Sequence, residues 1–247
     1  MRTKHFIYSL PISLTALLVG VSEAKAAYFS PMNNHTAEDI EAQIRDGSFV
    51  EEFNASSYIG DNGDAAHELE IVDINPPAEV VNQEKGQYLW GNSEEVEFEL
   101  SLDKDNNLTY KVGDTIIQST NVSEGGFDIN GMILSTTSTE DSSVTLKNLM
   151  FDDGDMNRYE MFSSDSDADF LKVTGIDNTF TLTGKQVFNW DGERPADYDL
   201  AYKIRVGTFQ DPMAAGLAQT EIPEPGTVSL FSLGIIALGL KCRRSQK

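Results

Sequence analysis

From Glu95 onward, apolar and polar positions alternate with a period of two. Val96, Phe98, Leu100 and Leu102 take one parity, and Glu95, Glu97, Glu99 and Ser101 take the other. That period places one side of a strand in a core and the other in water. Leu108, Tyr110 and Val112 alternate in the same way with Thr109 and Lys111, and the intervening Asp103-Lys104-Asp105-Asn106-Asn107 has the composition of a turn. The predicted unit is a hairpin that pairs Leu102 with Leu108, Leu100 with Tyr110 and Phe98 with Val112 on the buried face. Glu99 then stands opposite Lys111 on the wet face. Further runs at Thr115–Ser119, Met132–Thr136, Ser143–Leu149, Phe170–Thr174, Phe180–Leu182 and Gln186–Trp190 are bounded by Gly, Asp, Asn or Ser. The last run sets Tyr198, Leu200, Tyr202, Ile204 and Val206 against Asp199, Ala201, Lys203 and Arg205. Many short strands with frequent turn signals predict an all-β fold, an antiparallel β-sandwich or jelly-roll-like domain.

The first third reads differently. Thr36 is placed to cap a helix running to Asp46, with Glu38 and Asp39 in its first turn and Gly47 just past its end. Ala37, Ile40, Ala42 and Ile44 give this helix only a thin apolar face. Ser56–Asp64 reads as turn-rich, and His67–Ile74 as a strand stopped by Pro76-Pro77.

The two ends follow other patterns. Arg2, Lys4 and His5 precede an apolar stretch from Phe6 to Val21 and then Ala24-Lys25-Ala26. Basic start, apolar middle and small-x-small site predict a signal peptide over 1–26, cut after Ala26 by signal peptidase. The folded body is expected over 27–207 and a linker over 208–222. The other end begins with Pro223-Glu224-Pro225, continues with an apolar run over 227–240, and closes on Lys241, Arg243, Arg244 and Lys247. As a helix this run reaches about 21 Å at about 1.5 Å per residue, short of the roughly 20 residues a lasting span takes. It predicts a transient inner-membrane intermediate, with the basic end on the cytoplasmic side and the body outside.

These three parts, in this order, resemble the PEP-CTERM sorting signal of exported Gram-negative bacterial proteins. The resemblance covers residues 223–247. It implies processing by an exosortase near Pro223, Glu224 and Pro225, and a place beside exopolysaccharide and biofilm production. The body resembles exported domains of the choice-of-anchor type on Tyr88-Leu89-Trp90-Gly91 and Phe188-Asn189-Trp190-Asp191-Gly192. That resemblance implies a class and no mechanism.

Charge narrows the partners. The chain has 18 Lys+Arg and 40 Asp+Glu, a net charge of -22. Seven of those bases and two of those acids lie in the two end segments, which leaves the body 11 bases, 38 acids and a net charge of -27. Such a body is no nucleic-acid binder. Its single cysteine, Cys242, lies in the tail, so the body has no disulfide.

Candidate chemistry is sparse. His35 and His67 are the body's two histidines, and neither G-x-S-x-G nor H-E-x-x-H occurs. No enzymatic constellation is visible, and the body is expected not to be an enzyme. Calcium is the one cofactor suggested. Asp152, Asp153, Asp155 and Asn157 around Gly154 put hard oxygen donors on a tight loop, as Ca²⁺ requires, and Asp103–Asn107 and Asp165–Asp169 are similar in composition. The plainer reading is that Asp, Asn and Gly make turns. Trp90 and Trp190 fit either of two places: exposed, they would stack on sugar rings; buried, they would anchor the core. The expectation from sequence is therefore an exported structural or adhesive protein of the cell surface or extracellular matrix, with exopolysaccharide as partner. A carbohydrate-binding module is the alternative, and a secreted hydrolase comes third.

Overall fold

The computed structural model describes residues 27–60, 68–75, 79–120, 122, 129–151, 159–164, 168–195 and 200–210. Their elements run β1 (Tyr28–Pro31), α1 (Ala37–Asp46), β2 (Phe49–Ile59), β3 (Leu69–Asn75), β4 (Glu79–Gly86), β5 (Glu95–Leu102), β6 (Leu108–Val112), β7 (Thr115–Ser119), β8 (Gly131–Thr137), β9 (Ser142–Phe151), β10 (Tyr159–Ser164), β11 (Ala168–Thr174), β12 (Phe180–Trp190) and β13 (Leu200–Phe209). Two antiparallel sheets form. One has the order β1-β11-β8-β13-β2-β3-β4 and the other β10-β9-β12-β5-β6-β7. Inward residues of both, among them Leu100, Leu146 and Leu182 from one and Ile71, Leu134 and Ile204 from the other, share one core. The arrangement is a β-sandwich, as the alternation predicts.

The β5–β6 hairpin has the expected register: Leu102 with Leu108, Leu100 with Tyr110, Phe98 with Val112, and Glu99 opposite Lys111. The helix also matches. The Thr36 hydroxyl accepts from the Asp39 N–H at 3.3 Å, and the Asp39 carboxylate accepts from the Thr36 N–H at 2.7 Å. Gly47 closes the helix at φ 80°, a left-handed conformation that costs glycine little. Ile40 seats the thin apolar face on Met32, Phe49, Ile133 and Phe170. Ile133 and Phe170 have the opposite parity to the core residues Met132, Leu134, Leu171 and Val173. The helix therefore lies on the outer face of the seven-stranded sheet.

Three expectations need correction. The Ser56–Asp64 stretch does not begin as a turn. Ser56–Ile59 ends the eleven-residue β2, which is buried on both faces over Phe53–Ile59 and so shows no alternation. Its Ser57 is met inside: the hydroxyl lies 2.6 Å from the Tyr110 hydroxyl and 3.3 Å from that of Tyr202, and those two phenols also bond each other. Phe180–Leu182 and Gln186–Trp190 are one strand, β12, joined through Gly184. A Cβ there would sit 2.7 Å from a Phe98 ring carbon and 2.8 Å from a Leu149 methyl, so only glycine fits. The body also runs past 207: β13 extends to Phe209, and the Gln210 N–H donates to the Ser48 carbonyl at 2.9 Å. The signal peptide, most of the linker and the sorting tail lie outside the described residues. Among the described residues no helix is long and apolar enough to cross a membrane.

Candidate functional site

The outer face of the seven-stranded sheet carries a trough of about 480 Å³. Its origin is the size of the side chains that form its floor. Register sets Phe170, Ser135, Lys203, Ser56, Glu70 and Lys85 in one row across β11, β8, β13, β2, β3 and β4. The next row starts Ala168, Thr137, Ala201, Tyr58. Ser56, Ser135, Thr137, Ala168 and Ala201 fill little space, so the sheet surface is hollow there. Ala37, Ile40 and Glu41 of α1 form one wall.

Charge in the trough is mixed. Arg205 donates to Glu41 at 2.7 Å and lies 3.4 Å from Glu51. Glu51, 8% exposed, also accepts from the Asn54 amide at 2.7 Å. Burial pushes the Glu51 carboxyl above its ordinary value, against the pull of Arg205. Lys85 lies 3.7 Å from Glu70. Lys203, in the middle of the row, has no carboxylate within 4 Å among the described residues. Burial, and next the Arg205 charge, lower its pKa; Glu51, Glu70 and Glu41 pull the other way. Beside it the Ser56 hydroxyl, 3% exposed, has no hydrogen-bond partner among the described residues. The floor thus offers an ammonium and a free hydroxyl next to a carboxylate, on side chains alone.

A second hollow, about 590 Å³, lies over the six-stranded sheet around Glu95, Glu97, Glu99, Lys111 and Lys185. Its central carboxylate is already paired, Glu95 with Lys185 at 2.7 Å and with Lys147 at 3.7 Å. Partly exposed ion pairs of this kind contribute little.

The sequence-predicted site residues fare unevenly. Trp90 is buried, donates from Nε1 to the Tyr58 carbonyl at 3.2 Å and packs edge-on against Phe188 at 4.7 Å. Trp190 is buried too, and the Asn92 side chain brackets its backbone at 2.8 and 3.1 Å. Both are core anchors, and neither offers a free face to a sugar ring. Asp152, Asp153, Asp155 and Asn157, with Asp165–Asp167, lie outside the described residues, as do His67, Ala24, Ala26, Pro223, Glu224 and Pro225. The Asp103 loop is described. The Asp103 carboxylate accepts from the Asp105 and Asn107 N–H groups at 2.8 and 2.9 Å and from the Asn107 amide at 2.9 Å. Those bonds, Asn107 foremost, hold it below the usual carboxylate range, so it serves the turn. No group of three or more His, Cys, Asp or Glu is placed to hold a metal among the described residues. His35 is exposed in the turn before α1. Sequence reasoning missed the trough residues. They come from six strands and a helix, and no local pattern along the chain sets them side by side.

Residues 221–244 match the PEP-CTERM protein-sorting motif. The match includes the Pro-Glu-Pro, the apolar run and Arg243-Arg244. It marks an exported protein, processed by an exosortase and associated with the cell envelope. It stops short of the body, and nothing in it supports the choice-of-anchor resemblance. The comparison with curated proteins found no match.

Proposed function

We propose that the body is a structural or adhesive module of the extracellular matrix, and that it holds a polysaccharide in the trough on its outer sheet face. The observation that carries this reading is the trough itself: a hollow built from small side chains and floored with donors and acceptors, on a protein whose tail sends it to the envelope. A role in binding rather than catalysis agrees with the state of the carboxylates, since Glu41, Glu51 and Glu70 all face cations.

The test is co-sedimentation of the protein with extracellular polysaccharide from its own host. Retention is expected with the wild type. Filling the floor by Ala201→Trp, which adds bulk without removing a core contact, should abolish it. Equal retention of both forms would show that the trough is not the contact.

A further inference from the structure

Resting on that reading, we infer that the trough is specific for an acidic sugar, a uronic-acid unit whose carboxylate sits on Lys203 between Ser56 and Ser135. Four observations converge. Lys203 has Ser135 on one side and Ser56 on the other, in register on adjacent strands of one face. Its half-buried ammonium lacks a carboxylate within 4 Å among the described residues. The Ser56 hydroxyl is buried and unpartnered at the same place. Ser135 spends its hydroxyl only on a long 3.5 Å bond to the Lys203 carbonyl. A carboxylate seated there would take charge-assisted bonds from the ammonium and hydroxyl bonds from either side.

The rest of the hollow matches the rest of such a unit. Glu70 follows Ser56 in the row and Glu41 stands on the helical wall, both acceptors for ring hydroxyls. Ala37 and Ala168 give small apolar groups for the C–H face of the ring. A peptide carboxylate fits less well. An extended peptide earns affinity through main-chain bonds to a sheet edge, whereas the trough lies on a sheet face whose main-chain groups are already engaged in the ladders between β2, β13 and β8. A ring bearing hydroxyls on every side uses side-chain donors and acceptors, which is all the floor provides.

The body's charge of -27 opposes an acidic polymer at long range. At about 0.15 M salt that repulsion is screened beyond about 8 Å. Lys85, Lys172, Lys203 and Arg205, four of the body's 11 bases, lie on this one face.

The test is calorimetric titration of the full-length chain in detergent, near neutral pH and 0.15 M salt. The probes are hexamers of galacturonate and of mannuronate, neutral maltohexaose and cellohexaose, and an acetylated tripeptide with a free C-terminus. At least one uronate should bind ten times or more tighter than either neutral hexamer. Lys203→Gln should weaken that binding at least tenfold, while Glu97→Gln on the other sheet leaves it unchanged. In the wild type, backbone amide shifts on uronate addition should centre on Ser56, Ser135 and Lys203, a readout that needs no variant to fold. Neutral hexamers binding in the trough as tightly would overturn the acid preference and leave the matrix reading standing. Binding of no uronate, tight binding of the tripeptide, or shifts centred elsewhere would overturn the inference, with the co-sedimentation result then deciding the matrix reading by itself.

Discussion

Phe98 and Glu97 are neighbours with opposite fates. Phe98 is buried at 3% exposure against Tyr202, whose ring centre lies 5.5 Å away, while Glu97 is exposed. Phe98→Asp should cost several kcal/mol, on the order of 3–5, because it leaves a cavity and buries an unpaired charge. Glu97→Lys should stay within about 0.5 kcal/mol. Denaturant midpoints check both, and equal losses would mean the two faces are misassigned. The buried acids make a second prediction. Burial raises the carboxyls of Glu51 and of Glu68, whose salt bridge to Arg194 is itself largely buried. A group raised in the folded state contributes stability that is complete below its ordinary value of 4.5 and is lost as pH rises through its folded value. Asp39, Asp46, Asp103 and Glu95 are lowered by hydrogen bonds, and their contribution is lost only on the acid side, below about 4. The melting temperature should therefore be higher near pH 5 than near pH 7.5, and Glu51→Gln should flatten that difference. A melting temperature that climbs steadily from pH 5 to 7.5 would contradict the assignment.

Among the elements, legibility followed locality. Helix α1 and the β5–β6 hairpin carry their instructions within a dozen or so residues: a cap and a glycine for one, period-two alternation around an Asp/Asn turn for the other. β2 was hidden because its second half is buried on both faces and carries Asn54, Ser56 and Ser57, which imitates a turn in composition. β4 was hidden for the opposite reason: it is an edge strand, exposed along nearly its whole length, with no alternation to read. The trough was the least legible feature. Its row runs through five strands between Glu70 and Phe170 in an order the chain does not follow, and the connections from β7 to β8, β8 to β9, β10 to β11, β11 to β12 and β12 to β13 all switch sheets. No local signal encodes those neighbours. Gly184 marks a close contact between elements: Gly184→Val should destabilise by about 1–3 kcal/mol or more, since the added carbons meet Phe98 and Leu149. An unchanged midpoint in thermal or urea unfolding would mean that β12 does not lie against β5 as described.

At the scale of the whole molecule, both ends of the body leave the sandwich on one side. Tyr28 pairs with Thr174, Thr174 with Gly131, and Gly131 with Gly207, just before β13 ends at Phe209. The sorting motif follows that end in sequence, and the trough opens on the sheet's outer face. A net charge of -27 on the body makes divalent ions a natural stabiliser. The Asp152–Asn157 stretch is where a Ca²⁺-specific site is proposed. If calcium binds there, its melting temperature should exceed that in Mg²⁺ at equal ionic strength, and Asp153→Asn with Asp155→Asn should erase the difference; identical curves from the start would reduce that stretch to a turn. The proposed role in the matrix requires the body to be delivered outside the membrane and cut from its tail. Intact-mass and terminal-peptide spectrometry of the protein taken from its host's envelope tests that most directly. The account predicts a chain that begins at Ala27 and ends near Pro225. Recovery of Arg243-Arg244 on the surface-located form would contradict it.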